Sequence, residues 1–238
     1  MIIKGDFPFL TEKKHVISLV GAGGKTTLMY ALARQFTENG ARTVVATTTH
    51  ICRPEGNLWA KNLQEVIRLW ERGSYAVVGV PCEDGKLKGL PEQELDSYIR
   101  MADIVLVEAD GAKRMPCKVP AGHEPVIPGS CDIVIGVMGM DALGQPLDQV
   151  CFRKSEAARL LNMGLHDVLT ADRMAKILAS RDGTRKDVGK REYYVVLNKC
   201  DSKEHILAGE QIMGILREQG IVRCVLTCFM DKKRCADE

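Results

Sequence analysis

Apolar positions along this chain fall into short continuous runs, each followed by a segment whose apolar residues recur three and four apart. The run Val16-Ile17-Ser18-Leu19-Val20 leads into glycines, after which Leu28, Ala31, Leu32 and Phe36 hold a helical period until Asn39-Gly40. That order predicts strand, glycine loop, helix. A second strand is predicted over 43–47. Asn57 is expected to cap a helix with Leu58, Leu63, Val66, Ile67 and Trp70 inward, stopped by Gly73. Residues 75–80 predict a third strand, Pro91 a short helix running to Arg100, and 104–107 a fourth strand, apolar throughout. From 108 to 129 the period fails: Pro116, Pro120, Pro125 and Pro128 alternate with glycines and charges, and no helix or strand is predicted. A fifth strand follows at 133–137, then a loop over 139–149. A helix beginning at Lys154 or Ser155 carries Ala158, Leu161 and Leu165 on one face, and another runs from Thr170 to Ser180. After a basic, glycine-bearing loop at 183–190 come a sixth strand at 193–197, a helix capped by Ser202 and running to Gln219, and a last strand at 221–227.

Strands alternating with helices predict an α/β fold, a three-layer, mostly parallel sheet with helices on both faces, and the stretch Gly21-Ala22-Gly23-Gly24-Lys25-Thr26-Thr27 between the first strand and its helix makes it P-loop NTPase-like. A chain of 238 residues can bury a full core. One nucleotide-binding domain over 1–238 is expected, with a functional proline-rich loop at about 108–130 and a helical insertion at about 152–182. Crossover handedness places the loops that follow the strands along one sheet edge. The unusual clusters all follow strands, which argues for a single site.

Composition narrows the partners. Net charge is +2 from 33 basic and 31 acidic residues, so no broad nucleic-acid surface is expected. No apolar run approaches a membrane span, and residues 1–10, with Lys4, Asp6 and Pro8, do not read as a signal peptide. The nine cysteines then read as reduced thiols of a cytoplasmic protein. Cys224, Cys228 and Cys235 cluster near the end, at a spacing that fits no metal site.

Gly21-Ala22-Gly23-Gly24-Lys25-Thr26-Thr27 carries the first chemistry. Glycines let backbone N–H groups cradle phosphate at a helix start; Gly21, Gly23, Gly24, Lys25, Thr26 and Thr27 are the candidate phosphate ligands. Lys25, expected to face solvent, would reach the β- and γ-phosphates, and Thr26 would hold Mg²⁺. The spelling is shorter than G-x-x-x-x-G-K-[ST]: Leu19 stands where the first glycine should be. It resembles the P-loop of the ATP-using ligases of peptidoglycan synthesis. Glu108 and Asp110, two apart at the end of a buried strand, are candidate metal and catalytic acids beside Lys25. Asn198-Lys199-Cys200-Asp201 spells N-K-x-D. Asp201 could accept two parallel hydrogen bonds from guanine, with Lys199 over the base and Asn198 orienting the loop; a turn closing the strand is the plainer alternative. Thr48, Thr49 and His50 would touch the γ-phosphate or its metal if the second strand neighbours the first. Lys113, Arg114, Lys118, His123 and Glu124 crowd the proline-rich loop as substrate or switch candidates, against the plainer reading of a solvated surface loop.

Four stretches in this order, Val20-Gly-Ala-Gly-Gly-Lys-Thr-Thr27, Thr47-Thr-Thr-His-Ile51, Val107-Glu-Ala-Asp-Gly-Ala-Lys-Arg114 with Pro120-Ala-Gly-His-Glu-Pro-Val-Ile-Pro128, and Leu197-Asn-Lys-Cys-Asp201, resemble the selenium-dependent hydroxylase accessory proteins of the YqeC type. The resemblance runs from about residue 15 to about 227. It implies a role in maturing a selenium-dependent molybdenum hydroxylase, with that enzyme or its cofactor as partner. The combined expectation is a Mg²⁺-dependent GTPase binding GTP or ATP. An ATP-dependent transferase or ligase acting on a cofactor or carrier is one alternative, and a nucleotide-gated carrier with little hydrolysis is another.

Overall fold

A computed structural model describes residues 2–12, 14–54, 56–82 and 85–229. Its main sheet has eight strands, β1 (Ile2–Lys4), β2 (His15–Gly21), β3 (Thr43–Thr47), β5 (Ala76–Val77), β8 (Ile104–Glu108), β10 (Ile133–Gly139), β12 (Glu192–Asn198) and β13 (Cys224–Thr227), in spatial order β1-β13-β12-β10-β2-β8-β3-β5. Every pairing is parallel except that of β1 with β13. The glycine loop therefore leaves the middle of the sheet, with β10 and β8 on either side of its strand.

Period-two alternation on strands buried on both faces sorts the core into layers. Ile17, Leu19, Val45, Leu106, Ile135 and Val196 face α1 (Lys25–Glu38), packing with Leu28, Met29, Leu32 and Phe36 and with Phe7 and Phe9. Their neighbours Val16, Val20, Val44, Val105 and Val107 face the opposite side, toward α2 (Leu63–Glu71) and α3 (Glu92–Met101). Met138, Val195 and Leu197 meet α6 (Ala171–Ala179) and α7 (Lys203–Glu218). Helices cover both faces, as the alternation predicts.

Several boundaries differ from expectation, each for a local reason. Helix α2 is capped by Asn62, not Asn57. Asn62 Oδ1 accepts from Glu65 N at 3.0 Å, and Glu65 Oε2 accepts from Lys61 N, one residue before the cap, at 2.8 Å, a variant of the reciprocal capping box. The intervening Trp59 bridges to Val77 instead. The third strand ends at Val77, and Val80–Pro81 (β6) joins His50–Cys52 (β4) and Lys86–Lys88 (β7) in a small antiparallel sheet. Residues 139–149 are not plain loop: a 3₁₀ turn, Met140–Ala142, and α4, Leu147–Val150, lead to β11, Cys151–Phe152. Strand β11 pairs in parallel with β9, Cys117–Lys118, inside the proline-rich segment. Helix α5 (Lys154–Leu161) stops when Asn162 turns left-handed, which leaves Leu165 exposed rather than on a buried face. The last strand starts at Cys224, three residues later than expected. No disulfide joins the eight described cysteines; Cys235 lies outside the described residues.

Candidate functional site

The phosphate loop is bent by its glycines. Gly23 (φ +80) and Gly24 (φ +110) take left-handed backbone, and a Cβ on either would strike a neighbour: Gly139 N at 2.0 Å from Gly23, and Asn198 Nδ2 at 2.4 Å from Gly24. Much of the loop's own hydrogen bonding is internal to the protein. Gly21 N donates to Asp110 Oδ2 (3.1 Å), Ala22 N to Val137 O (2.8 Å) and Gly23 N to Met115 O (3.1 Å). The N–H groups left open are then those of the first turn of α1, Gly24, Lys25 and Thr26, while Thr27 is exposed one residue further.

Lys25 does not face solvent. It is buried, donating to Gly21 O at 2.6 Å and lying 3.1 Å from Asp110 Oδ1 and 4.0 Å from Glu108 Oε1. Two buried carboxylates draw the ammonium inward across the loop. Thr26 Oγ1 donates to Glu108 Oε2 at 2.7 Å. Glu108 and Asp110, two apart on one strand end, thus both reach the same lysine. Burial raises the Glu108 carboxyl above its ordinary range, and the nearby Lys25 and the Thr26 hydroxyl offset this only in part.

From Asp110 the network continues into the proline-rich segment. Lys118 is fully buried, with its Nζ 3.1 Å from Asp110 Oδ2, 3.0 Å from Glu124 Oε2 and 2.6 Å from Gly111 O. Arg153 Nε reaches Glu124 Oε2 at 2.9 Å. Burial alone would raise Glu124, but Arg153, Lys118 and the Ala121 N–H hold it down to about 2. Lys118 and Glu124 are therefore structural partners of each other and not solvated surface charges. Lys186 Nζ donates to the carbonyl oxygens of Ala121, Gly122 and Glu124. Outside the two-residue pairing of β9 with β11, the segment is fixed by ammonium groups bound to its carbonyls. Lys113, Arg114 and His123 remain exposed.

The threonines sit elsewhere than expected. Strand β8 lies between β2 and β3, so Thr47 adjoins Glu108 rather than the phosphate loop, donating to Glu108 O at 2.9 Å. Thr48 Oγ1 donates to Val126 O (2.9 Å), and Thr49 N to Thr47 Oγ1 (3.0 Å). His50 is exposed on β4, opposite Lys88. On the other side, Asn198 Nδ2 donates to Gly23 O at 2.9 Å. Lys199 pairs with Asp141, and Asp201 is half exposed on the same sheet edge, its Oδ1 2.9 Å from His205 Nδ1. The four clusters are joined through Thr26–Glu108, Gly21–Asp110, Thr48–Val126 and Asn198–Gly23.

The family described as YqeC protein matches residues 17–155, more than half of the sequence, from β2 to the start of α5. The chain belongs to the YqeC family. Over 226 residues it is 29% identical to the Escherichia coli (strain K12) protein described as "Uncharacterized protein YqeC", covering 88% of this chain and 86% of that one. Among solved structures it is similar to the hydrogenase maturation factor HypB from Archaeoglobus fulgidus (12% identity, 92% of this chain and 82% of that one, TM-score 0.43). It is also similar to the 54 kDa signal recognition particle protein from Aeropyrum pernix K1 in complex with GDP (16% identity, 95% and 43%, TM-score 0.43). The fold rests on the strand order above rather than on these two likenesses. Among the described residues no helix is long and apolar enough to cross a membrane.

Sequence reasoning missed Arg153, Lys186, Phe152 and Thr227. Lys186 lies in a stretch that reads as a basic loop, and nothing local marks it as the holder of carbonyls some sixty residues earlier. Thr227 Oγ1 donates to Asn198 Oδ1 (3.0 Å), a role visible only once β12 and β13 are known to be neighbours.

Proposed function

We propose that this chain is a Mg²⁺-dependent nucleoside-triphosphate-binding protein that hydrolyses GTP in the maturation of a selenium-dependent molybdenum hydroxylase. The observation that carries the nucleotide reading is the convergence of Lys25, Thr26, Glu108 and Asp110 at the first turn of α1. Lys25 would exchange a carboxylate for the β- and γ-phosphates, and Asp110 would keep Lys118 and the Gly21 N–H as partners when it does so. The donor set suits a hard divalent cation. Asp110 Oδ1 is buried with the Lys25 ammonium 3.1 Å away as its charge partner, and Glu108, two residues earlier, already accepts the Thr26 hydroxyl. Mg²⁺ takes one or two carboxylates and completes its shell with phosphate and water. Thr26, Glu108 and Asp110 are the residues to hold it. When bound it would neutralise charge between the phosphates.

The guanine preference rests on Asp201, half exposed on the sheet edge that carries the phosphate loop, in a segment that Asn198 and Thr227 tie to Gly23. One observation favours the second reading, an ATP-dependent transferase: Asp201 already spends Oδ1 on His205, whereas guanine recognition needs both of its oxygens. Equilibrium titration of GTP and ATP, with and without Mg²⁺, on wild type and Lys25→Met tests this function. Tight binding that is Mg²⁺-dependent and lost in Lys25→Met supports it, and equal binding by the two proteins refutes it. Turnover with water, compared with turnover in the presence of a molybdenum hydroxylase, separates hydrolysis from transfer.

A further inference from the structure

Residues Ala112-Lys113-Arg114-Met115 close a tight turn, with Met115 N donating to Ala112 O at 2.9 Å. Both central residues have positive φ, +47 at Lys113 and +63 at Arg114. Positive φ at both positions is the mark of a type I′ turn, which glycine and asparagine fill most readily. Two long basic side chains occupy it here, a conformation that persists only where the surroundings impose it. The surroundings do so from both ends. Met115 O accepts the Gly23 N–H and Pro116 O the Gly139 N–H (2.9 Å), while Gly111 O is held by Lys118. The turn is fastened directly to the phosphate loop.

Charge separates the two residues from the rest of the segment. In the buried network Lys25, Lys118 and Arg153 face Glu108, Asp110 and Glu124, three cations for three carboxylates. Lys113 and Arg114 are surplus. Lys113 Nζ lies 5.5 Å from the Phe152 ring. Arg114 is exposed and has no side-chain hydrogen bond, ion pair or ring contact among the described residues. An arginine fixed in a strained turn beside a phosphate cradle, with no partner of its own, is placed to meet charge that arrives with a ligand.

We propose that Arg114 is a catalytic residue of this site, its guanidinium contacting the γ-phosphoryl oxygens and neutralising the charge that develops on them during transfer. The inference rests on the nucleotide-binding reading above. In the hydrolytic step the water oxygen bonds to the γ-phosphorus. The bond from that phosphorus to the β–γ bridging oxygen breaks, and its electron pair stays with the nucleoside diphosphate. One water proton stays on the oxygen that joins the phosphate, the other passes to a γ-phosphoryl oxygen so that dihydrogen phosphate leaves, and Arg114 keeps its protons throughout. The planar guanidinium fork can span two phosphoryl oxygens, which an ammonium cannot do.

Single-turnover hydrolysis of Mg²⁺-GTP and Mg²⁺-ATP by the full chain tests the proposal with Arg114→Gly and Arg114→Lys. Glycine suits the positive φ, so Arg114→Gly removes the cation without burdening the turn. We expect the rate constant to fall at least ~100-fold in Arg114→Gly. Ground-state triphosphate affinity should stay within about threefold, Arg114→Lys should recover only part of the rate, and millimolar guanidinium should rescue Arg114→Gly alone. A second measurement needs no turnover: aluminium fluoride should tighten GDP or ADP binding by wild type and not by Arg114→Gly. A wild-type rate with wild-type aluminium fluoride tightening in Arg114→Gly overturns the role of Arg114 alone. Equal losses of affinity and rate make Arg114 a binding cation and overturn the catalytic assignment. Failure of the wild-type protein to bind any triphosphate sinks the nucleotide reading, and this inference with it.

Discussion

Asn198 Nδ2 donates to the carbonyl oxygen of Gly23 at 2.9 Å, and Asn198 Oδ1 accepts from Thr227 Oγ1 at 3.0 Å. One buried amide thereby clamps the phosphate loop to the C-terminal ends of β12 and β13. Removing it leaves Gly23 O and the Thr227 hydroxyl unpartnered in the core. Asn198→Ala should cost about 1–3 kcal/mol of stability. It should also weaken GTP and ATP to a similar degree, because it loosens the cradle and not the base pocket. Denaturant melts and paired titrations of the two nucleotides check both halves.

Asp201 should behave differently. Asp201→Asn should leave stability within about 0.5 kcal/mol, since the side chain is half exposed. If the base is guanine, the variant should lose GTP preference and gain affinity for xanthosine triphosphate, because an amide can donate to the 2-oxo group that a carboxylate repels. Unchanged competition among GTP, ATP and XTP in the variant would exclude Asp201 from the base pocket and put the ATP reading ahead.

Lys118 neutralises Asp110 and Glu124 at once from a fully buried position. Lys118→Met should destabilise by roughly 3–5 kcal/mol, because it strands buried carboxylates. Adding Glu124→Gln should restore part of the loss, a coupling that a double-mutant cycle in urea measures directly.

Glu124 also sets an acid limit. Its folded pKa of about 2 lies below the ordinary carboxyl value of 4.5, so the native state binds the proton more weakly than the unfolded chain does. Its contribution is present above about pH 4.5 and is lost as pH falls toward 2, and it is worth on the order of 3 kcal/mol. Stability measured between pH 5 and 2.5 should fall less steeply in Glu124→Gln than in wild type.

Much of this site was legible because its parts follow apolar runs that can only be central parallel strands. Gly21 to Thr27, Glu108 with Asp110, and Asn198 all reach one sheet edge for that reason. Strand order was not legible. Nothing in residues 43–47 reveals that β8 will come between them and β2, and with β8 there Thr48 reaches Val126 O instead of the phosphate loop. The inward turn of Lys25 was hidden for a related reason: a P-loop lysine is ordinarily pictured with its phosphate, and only the fold brings Asp110 within 3.1 Å to stand in for it. In the proline-rich segment the density of unusual residues was informative. Their partners, Arg153 and Lys186, come from distant stretches that carry no mark of their own.

The strand order also dictates a sequence of assembly. Strand β2 is made early, yet both of its neighbours, β8 and β10, come from much later in the chain, and the Asn198 clamp later still. While it is being synthesised, the phosphate loop is an unsupported bend on an unpaired apolar strand. Long-range parallel pairing of this kind closes slowly. A chain arrested before residue 198 should therefore hold no formed cradle, and nucleotide capture should wait until β12 and β13 have left the ribosome.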